Sequence, residues 1–371
     1  MIGLAKIYTI LAVAFPILHV YGIGFSTVSL ADLLLLLLYP FLIAKNRWDK
    51  VSWTFLFYVL FICIVGFFMH SQDGIFKVLR YSCYILALAL FSKTFFLFEY
   101  GSRVFLRLVL FATLFLLFQH LCFNIVGYYV PGYLPGLPIM RNELVEFSNN
   151  IGVDGGDVRV RSIFGEPAHY AQYVVGYIAL IVGSKKVDIK VLLLLLLGVL
   201  LSGSSTGIVA CAFLLIILFS QIDKIRLKSY IWYFLFLIGG IGLYLITHSS
   251  FYDRAIDKLS DEQSIAGRFS GLEVLLSNIN YTNTELLFGH GIGSISIYLP
   301  GYLMLFYYFG LLGLLIYLFV NISIYLKIDR QRKILLLLFA LLNIGTEVAM
   351  GPFIILFFSF ILSKNMVKYD T

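Results

Sequence analysis

Leu33 to Leu38 is an unbroken run of leucines (LLLLLL), and Val191 to Leu197 reads VLLLLLL. Each belongs to an apolar stretch near the roughly 17 to 25 residues that a helix needs to cross the hydrocarbon core of a bilayer. Similar stretches recur along the whole chain. Of its 371 residues, 61% are hydrophobic and 13% are charged, against roughly 25% charged in a soluble globular protein. The main solvent is therefore lipid. An open sheet edge leaves backbone groups unsatisfied there, and the alternation of barrel strands is absent, so the reading is an all-α polytopic membrane protein, a single integral membrane domain over residues 1–371. The four cysteines, Cys63, Cys83, Cys122 and Cys211, lie in apolar runs without CxxC or CxxH spacing and read as small core residues. Ile7 to Val20, preceded by Lys6, has signal-peptide character but no small-x-small cleavage pattern, so it is read as the first span.

The apolar runs predict about 12 transmembrane helices, centred near residues 14, 36, 60, 86, 114, 175, 196, 213, 239, 312, 340 and 356. The last two share a break at Gly351-Pro352. Basic residues fall at every second boundary: Lys45, Arg47 and Lys50; Lys93 and Arg103; Lys185, Lys186 and Lys190; Lys224, Arg226 and Lys228; Lys327, Arg330, Arg332 and Lys333; Lys364 and Lys368. The positive-inside rule makes these boundaries and both termini cytoplasmic. The net charge of +7 is thus a topology signal that implies no nucleic-acid partner. Two long connections, Gly127 to Glu166 and Ser249 to Leu299, then emerge on the outer face. Loops beyond about 12 to 15 residues are usually functional or disordered, so activity is expected outside. No internal repeat of the kind common in secondary transporters is visible.

The first loop opens with the turn dipeptides Pro131-Gly132 and Pro135-Gly136 and closes with RVRSIFGEPAHY, Arg159 to Tyr170. In an extended segment Arg159 and Arg161 share a side, and two guanidinium forks suit a phosphate or diphosphate. Pairing with the loop acids Glu143, Glu146, Asp154 and Asp157, or with lipid headgroups, explains the same charges. Glu166-Pro167 has the form of a helix start, with the carboxylate as cap, as general base or as a group orienting a sugar hydroxyl. His169, three residues on, shares a helix face with Glu166 if both are helical. A structural histidine at the membrane interface is the plainer alternative.

The second loop carries Arg254, Lys258 and Arg268, then Leu272, Leu275, Leu276 and Ile279 at helical spacing, which predicts an amphipathic helix on the membrane. Gly289-His290-Gly291-Ile292-Gly293 permits close backbone approach to a ligand or forms a simple turn before the next span. Within the apolar segments Arg80 and Glu347 stand out as candidates for substrate binding, because ionisable groups at depth face a cavity or a partner. Asp32 joins them or lies at the interface. Ser202-Gly203-Ser204-Ser205-Thr206 reads as a tight turn whose small residues favour close packing.

Arg161 to Tyr170 (RSIFGEPAHY), Leu201 to Thr206 (LSGSST), Gly267-Arg268-Phe269, Leu287 to Gly293 (LFGHGIG) and the span ending Phe309-Gly310-Leu311-Leu312-Gly313 occur in that order. With the two large outer loops, this arrangement resembles the bacterial O-antigen polymerase family, within the superfamily that also holds the O-antigen ligases. The likeness spans about half of the chain and lies in the order of motifs that are individually loose. It implies a glycosyltransferase of the bacterial inner (cytoplasmic) membrane. Such an enzyme transfers a growing glycan from undecaprenyl diphosphate onto the non-reducing sugar of an undecaprenyl-diphosphate-linked oligosaccharide, for O-antigen or exopolysaccharide synthesis. By the same resemblance a chain-length regulator protein is an expected partner, besides membrane lipid. Cations preorganised around a departing diphosphate stabilise it most in the transition state. Arg159, Arg161 and Arg268 are then the clamps, with Arg254, His290, Gly291, Arg80 and Glu347 around the substrate. Glu166 is the first candidate base and His169 the second. The His-Asn motif of the ligase branch does not follow His290, which favours polymerase over ligase.

A lipid-linked oligosaccharide flippase is the main alternative, but it should carry its charges along a path through several spans. A transferase using a polyprenyl-monophosphate sugar should show acids in an early outer loop, where Asp32 stands alone. Asp154 and Asp157 have D-x-x-D spacing with too few oxygen ligands for a metal site. The expected reaction uses neither metal nor cofactor.

Overall fold

The computed structural model describes residues 2–24, 28–45, 50–68, 74–134, 136–140, 160–184, 187–221, 283–294 and 299–363. Among them lie twelve helices and two isolated antiparallel bridges, and no strand. The helices are α1 (Ile2–Leu18), α2 (Leu30–Ile43), α3 (Lys50–Phe68), α4 (Gly74–Phe95), α5 (Phe98–Val126), α6 (Pro167–Gly183), α7 (Ile189–Leu201), α8 (Ser205–Gln221), α9 (Asn283–Phe288), α10 (Gly301–Tyr325), α11 (Arg330–Gly345) and α12 (Phe353–Leu362). The described residues form an all-helical membrane protein. Among the described residues three helices, α4, α5 and α10, are long and apolar enough to cross a bilayer, and α1, α2, α7, α12 and stretches of α3 and α8 are apolar but shorter. Every expected span centre falls in a helix except the one near residue 239, which lies outside the described residues. So do most of the two long loops and the amphipathic helix expected after Arg268.

The shortest of these apolar helices occupies the middle of the bundle. Phe353 to Ile361 of α12 are all buried, as are Tyr170 to Gly176 of α6. A helix that is apolar all round belongs in a core. Gly176 lets the two meet, with Phe357 and Phe105 against it, and Phe105 stacks edge-on to Tyr173 at 4.8 Å. Gln331 of α11 donates from Nε2 to the Leu180 carbonyl at 2.7 Å, tying α11 to the end of α6. Gly207 of α8, just after the Ser202–Thr206 turn, packs against Ala171 of α6 and Val199 of α7.

The bundle has two ends of different character. At one, Lys6 lies 5.8 Å from the Tyr100 ring, Arg332 5.3 Å from Phe98, and Phe360 packs edge-on to Phe96 at 4.8 Å. The starts of α1, α5 and α11 and the end of α12 therefore share one end, which carries Lys6 and Arg332. The first and last described helices begin and finish there. At the other end the α1–α2 connection pairs with the segment after α5, through Gly22 N–H to Pro138 O at 2.8 Å and Met140 N–H to Val20 O at 3.0 Å.

Helix α10 breaks at Gly310, whose φ of 65° and ψ of −170° are open to glycine and to little else. A Cβ there would overlap the Leu287 carbonyl. Gly310→Ala is expected to lower stability by about 3 kcal/mol, from strain and overpacking together. Thermal unfolding of the detergent-solubilised protein measures this, and an unchanged unfolding temperature would count against the break being required.

Candidate functional site

The end of the first long loop is built around one polar residue inside α5. Gln119, fully buried, accepts from Ser162 N–H at 2.9 Å through Oε1 and donates from Nε2 to Val130 O at 2.8 Å and Ser162 O at 3.3 Å. Ser162 has a positive φ of 57° and donates its hydroxyl to Ala112 O at 2.6 Å. The chain thus reverses at Ser162, immediately after the Arg159–Arg161 stretch read as extended, of which Arg159 lies outside the described residues. Gly132 seats the other side of the loop, since any Cβ there would overlap Ser162 O. Gly132, in the first of the two Pro-Gly dipeptides, thus packs directly on this segment.

Arg161 is 1% exposed. Its Nε donates to the Tyr129 hydroxyl at 3.1 Å and its Nη1 to Gly165 O at 3.2 Å. Burial pushes the Tyr129 hydroxyl above its usual range, against the pull of the guanidinium, so it stays protonated. Phe164 inserts between Tyr170 and Tyr173, at ring distances of 6.2 and 5.1 Å. Tyr170 itself donates to Thr113 Oγ1 at 3.0 Å. The segment from Val160 to Tyr170 is therefore a buried plug. Arg161 acts within it as an internal strut, which its charge did not suggest; Arg159 lies outside the described residues.

Two polar groups of the plug stay partly exposed. Glu166 occupies the N-cap of α6, with Pro167 at the first helical position, but its side chain makes no capping bond. Its carboxylate has no hydrogen-bond or ion-pair partner among the described residues. His169 packs 5.8 Å from the Phe353 ring. Helix α6 includes His169 but not Glu166, whose backbone is extended at the N-cap, so the shared helix face expected if both were helical is not formed.

The second loop turn is positioned differently. His290 N–H donates to Tyr307 O at 2.8 Å and Gly291 N–H to Tyr308 O at 3.0 Å. The His290 ring lies 4.6 Å from Tyr307, with Nδ1 3.8 Å from Glu285. A Cβ on Gly289 would stand 2.5 Å from Gly310 N. The close approach that these glycines permit is to the broken backbone of α10. Glu347, expected inside a span, is exposed in the turn between α11 and α12, where its carbonyl accepts from Met350 and Gly351. Arg80 pairs with Asp32 at 3.4 Å. Arg254 and Arg268 lie outside the described residues.

Near the same end, His19 at the close of α1 feels the charges of Asp32, Arg80 and His169. Tyr84 donates to Asp32 Oδ1 at 2.5 Å. Sequence reading passed over His19, Tyr84, Tyr129 and Gln119. A glutamine inside an apolar helix was itself a signal, because polar groups at depth need partners, and Ser29-x-x-Asp32 has the spacing of a capping box. Comparison with protein-family models and with curated protein sequences finds no match.

Proposed function

We propose that the chain is a glycan polymerase, a glycosyltransferase that joins lipid-linked repeat units at the outer face of a bacterial cytoplasmic membrane. The observation that carries the reading is the carboxylate of Glu166, without a partner among the described residues and held at the start of α6 by a buried plug whose sequence is the most extended of the family-like motifs. In this account about twelve spans cross the membrane, with the basic end and both termini in the cytoplasm. Glu166 takes the proton of the acceptor hydroxyl as that oxygen attacks the anomeric carbon of the donor glycan. The bond from that carbon to the undecaprenyl diphosphate breaks, and the diphosphate leaves with the electron pair. Arg268 and Arg159 neutralise it, and Arg161 holds the plug in register. His169 is the alternative base. No metal or cofactor takes part.

A strain lacking the protein, analysed by gel for surface glycan, tests this. Single-repeat material is expected. Complete absence of capped glycan would favour a ligase, and repeat units stranded inside the cell would favour a flippase. Either result would overturn the polymerase reading.

A further inference from the structure

Arg80 lies near the start of α4, in an apolar helix, and faces Asp32 in the first turn of α2. Asp32 is anchored independently of it. Its Oδ2 accepts from Ser29 N–H at 2.9 Å, its Oδ1 from the Tyr84 hydroxyl at 2.5 Å, and its own N–H bonds Ser29 Oγ at 3.1 Å. Phe15 braces Tyr84 edge-on at 5.3 Å. The carboxylate is thus set before Arg80 reaches it.

A structural Arg–carboxylate pair draws its strength from two parallel N–H···O bonds. Arg80 makes neither: its closest approach is Nε to Oδ2 at 3.4 Å, and its terminal nitrogens bond no described residue. Its side chain keeps 26% exposure, whereas that of Asp32 keeps 8%. An ion pair so arranged is a poor stabiliser, since desolvating two charges offsets most of their attraction. The arrangement suits another task, in which a buried carboxylate steadies one edge of the guanidinium and the terminal fork stays available to an oxyanion. His19 lies within electrostatic range of this pair and of His169, next to the Glu166 plug.

We propose that Arg80, positioned by Asp32, Tyr84 and Ser29, binds one phosphate of the lipid-linked diphosphate. The ligand rests on the polymerase reading; the new element is an anion site built by α2 and α4, apart from the long loops. Asp32 and Tyr84 act through Arg80 and are positioning residues. A phosphate of an anionic phospholipid would meet the same fork, so the test must separate the two sources.

The purified full-length protein in neutral detergent is titrated with farnesyl diphosphate by calorimetry, with phosphatidylglycerol as competitor. The wild type is expected to bind, and Arg80→Gln to weaken binding about 10-fold, the worth of one charge-assisted hydrogen bond. Arg80→Lys keeps the charge beside Asp32 but lacks the fork, so it too is expected to bind about 10-fold more weakly, with an unfolding temperature near wild type. The proposal is overturned by wild-type affinity in Arg80→Lys, by absence of binding to the wild type, or by equal competition from phosphatidylglycerol. No sugar is involved, so a failure here leaves the deletion-strain result standing, and the converse also holds.

Discussion

Glu166→Gln is expected to lower glycan polymerisation about 100-fold or more, the usual contribution of a positioned general base. Stability should hardly change. The Glu166 side chain sits at an N-cap without capping it, and Pro167 presets the first turn of α6 whatever precedes it. An amide of the same shape therefore removes proton affinity and little else. Initial rates of polymer formation, beside unfolding temperatures of both proteins, make the comparison. A normal rate would eliminate Glu166 as the base and pass the role to His169.

Arg161→Ala is expected to abolish polymer and also to destabilise the protein, by about 3 kcal/mol or more. Removing a buried guanidinium leaves a cavity, and the Tyr129 hydroxyl and Gly165 carbonyl lose their donors. Membrane insertion itself, driven by the apolar helices, should persist. Arg161→Lys keeps the charge but cannot reach both partners as a planar fork does, so activity should fall with a smaller loss of stability. Arg268→Ala, assigned here to the leaving diphosphate, should abolish polymer with insertion intact. Polymer at wild-type level from either alanine variant would contradict these roles, provided the protein accumulates normally.

The helices themselves were legible because lipid imposes one rule on every residue that faces it. Leu33 to Leu38 and Val191 to Leu197 both fall in helices, and Lys6 and Arg332, from opposite ends of the sequence, lie at one end of the bundle. Helix length was less legible. A run such as Phe353 to Leu362 reads as a short span, yet its place at the centre of the bundle depends on which helices surround it. The site was legible where it is local: Glu166-Pro167 predicts the start of α6 through proline geometry and the helix dipole.

Other parts depend on partners distant in sequence. Arg161 looks like a surface cation until Tyr129, Gly165 and the Gln119 brace enclose it. The glycines around His290 allow close approach, but nothing nearby in sequence says that the approaching backbone is that of Gly310. Arg80 demanded a partner; the Ser29 bonds that anchor Asp32 follow from capping-box spacing, but the Tyr84 hydroxyl that completes the anchor is linked to it by no spacing rule. In each case the physics of burial was readable and the identity of the neighbour was not.

The most direct test of the central claim uses the protein alone. Purified full-length protein in nanodiscs is supplied with undecaprenyl-diphosphate-linked repeat units extracted from the deletion strain, without nucleotide sugar, metal or accessory protein. The account predicts a ladder of lipid-linked glycans that lengthens with time as undecaprenyl diphosphate is released, and that Glu166→Gln slows. Repeat units that remain single while the wild-type protein stays folded would contradict it.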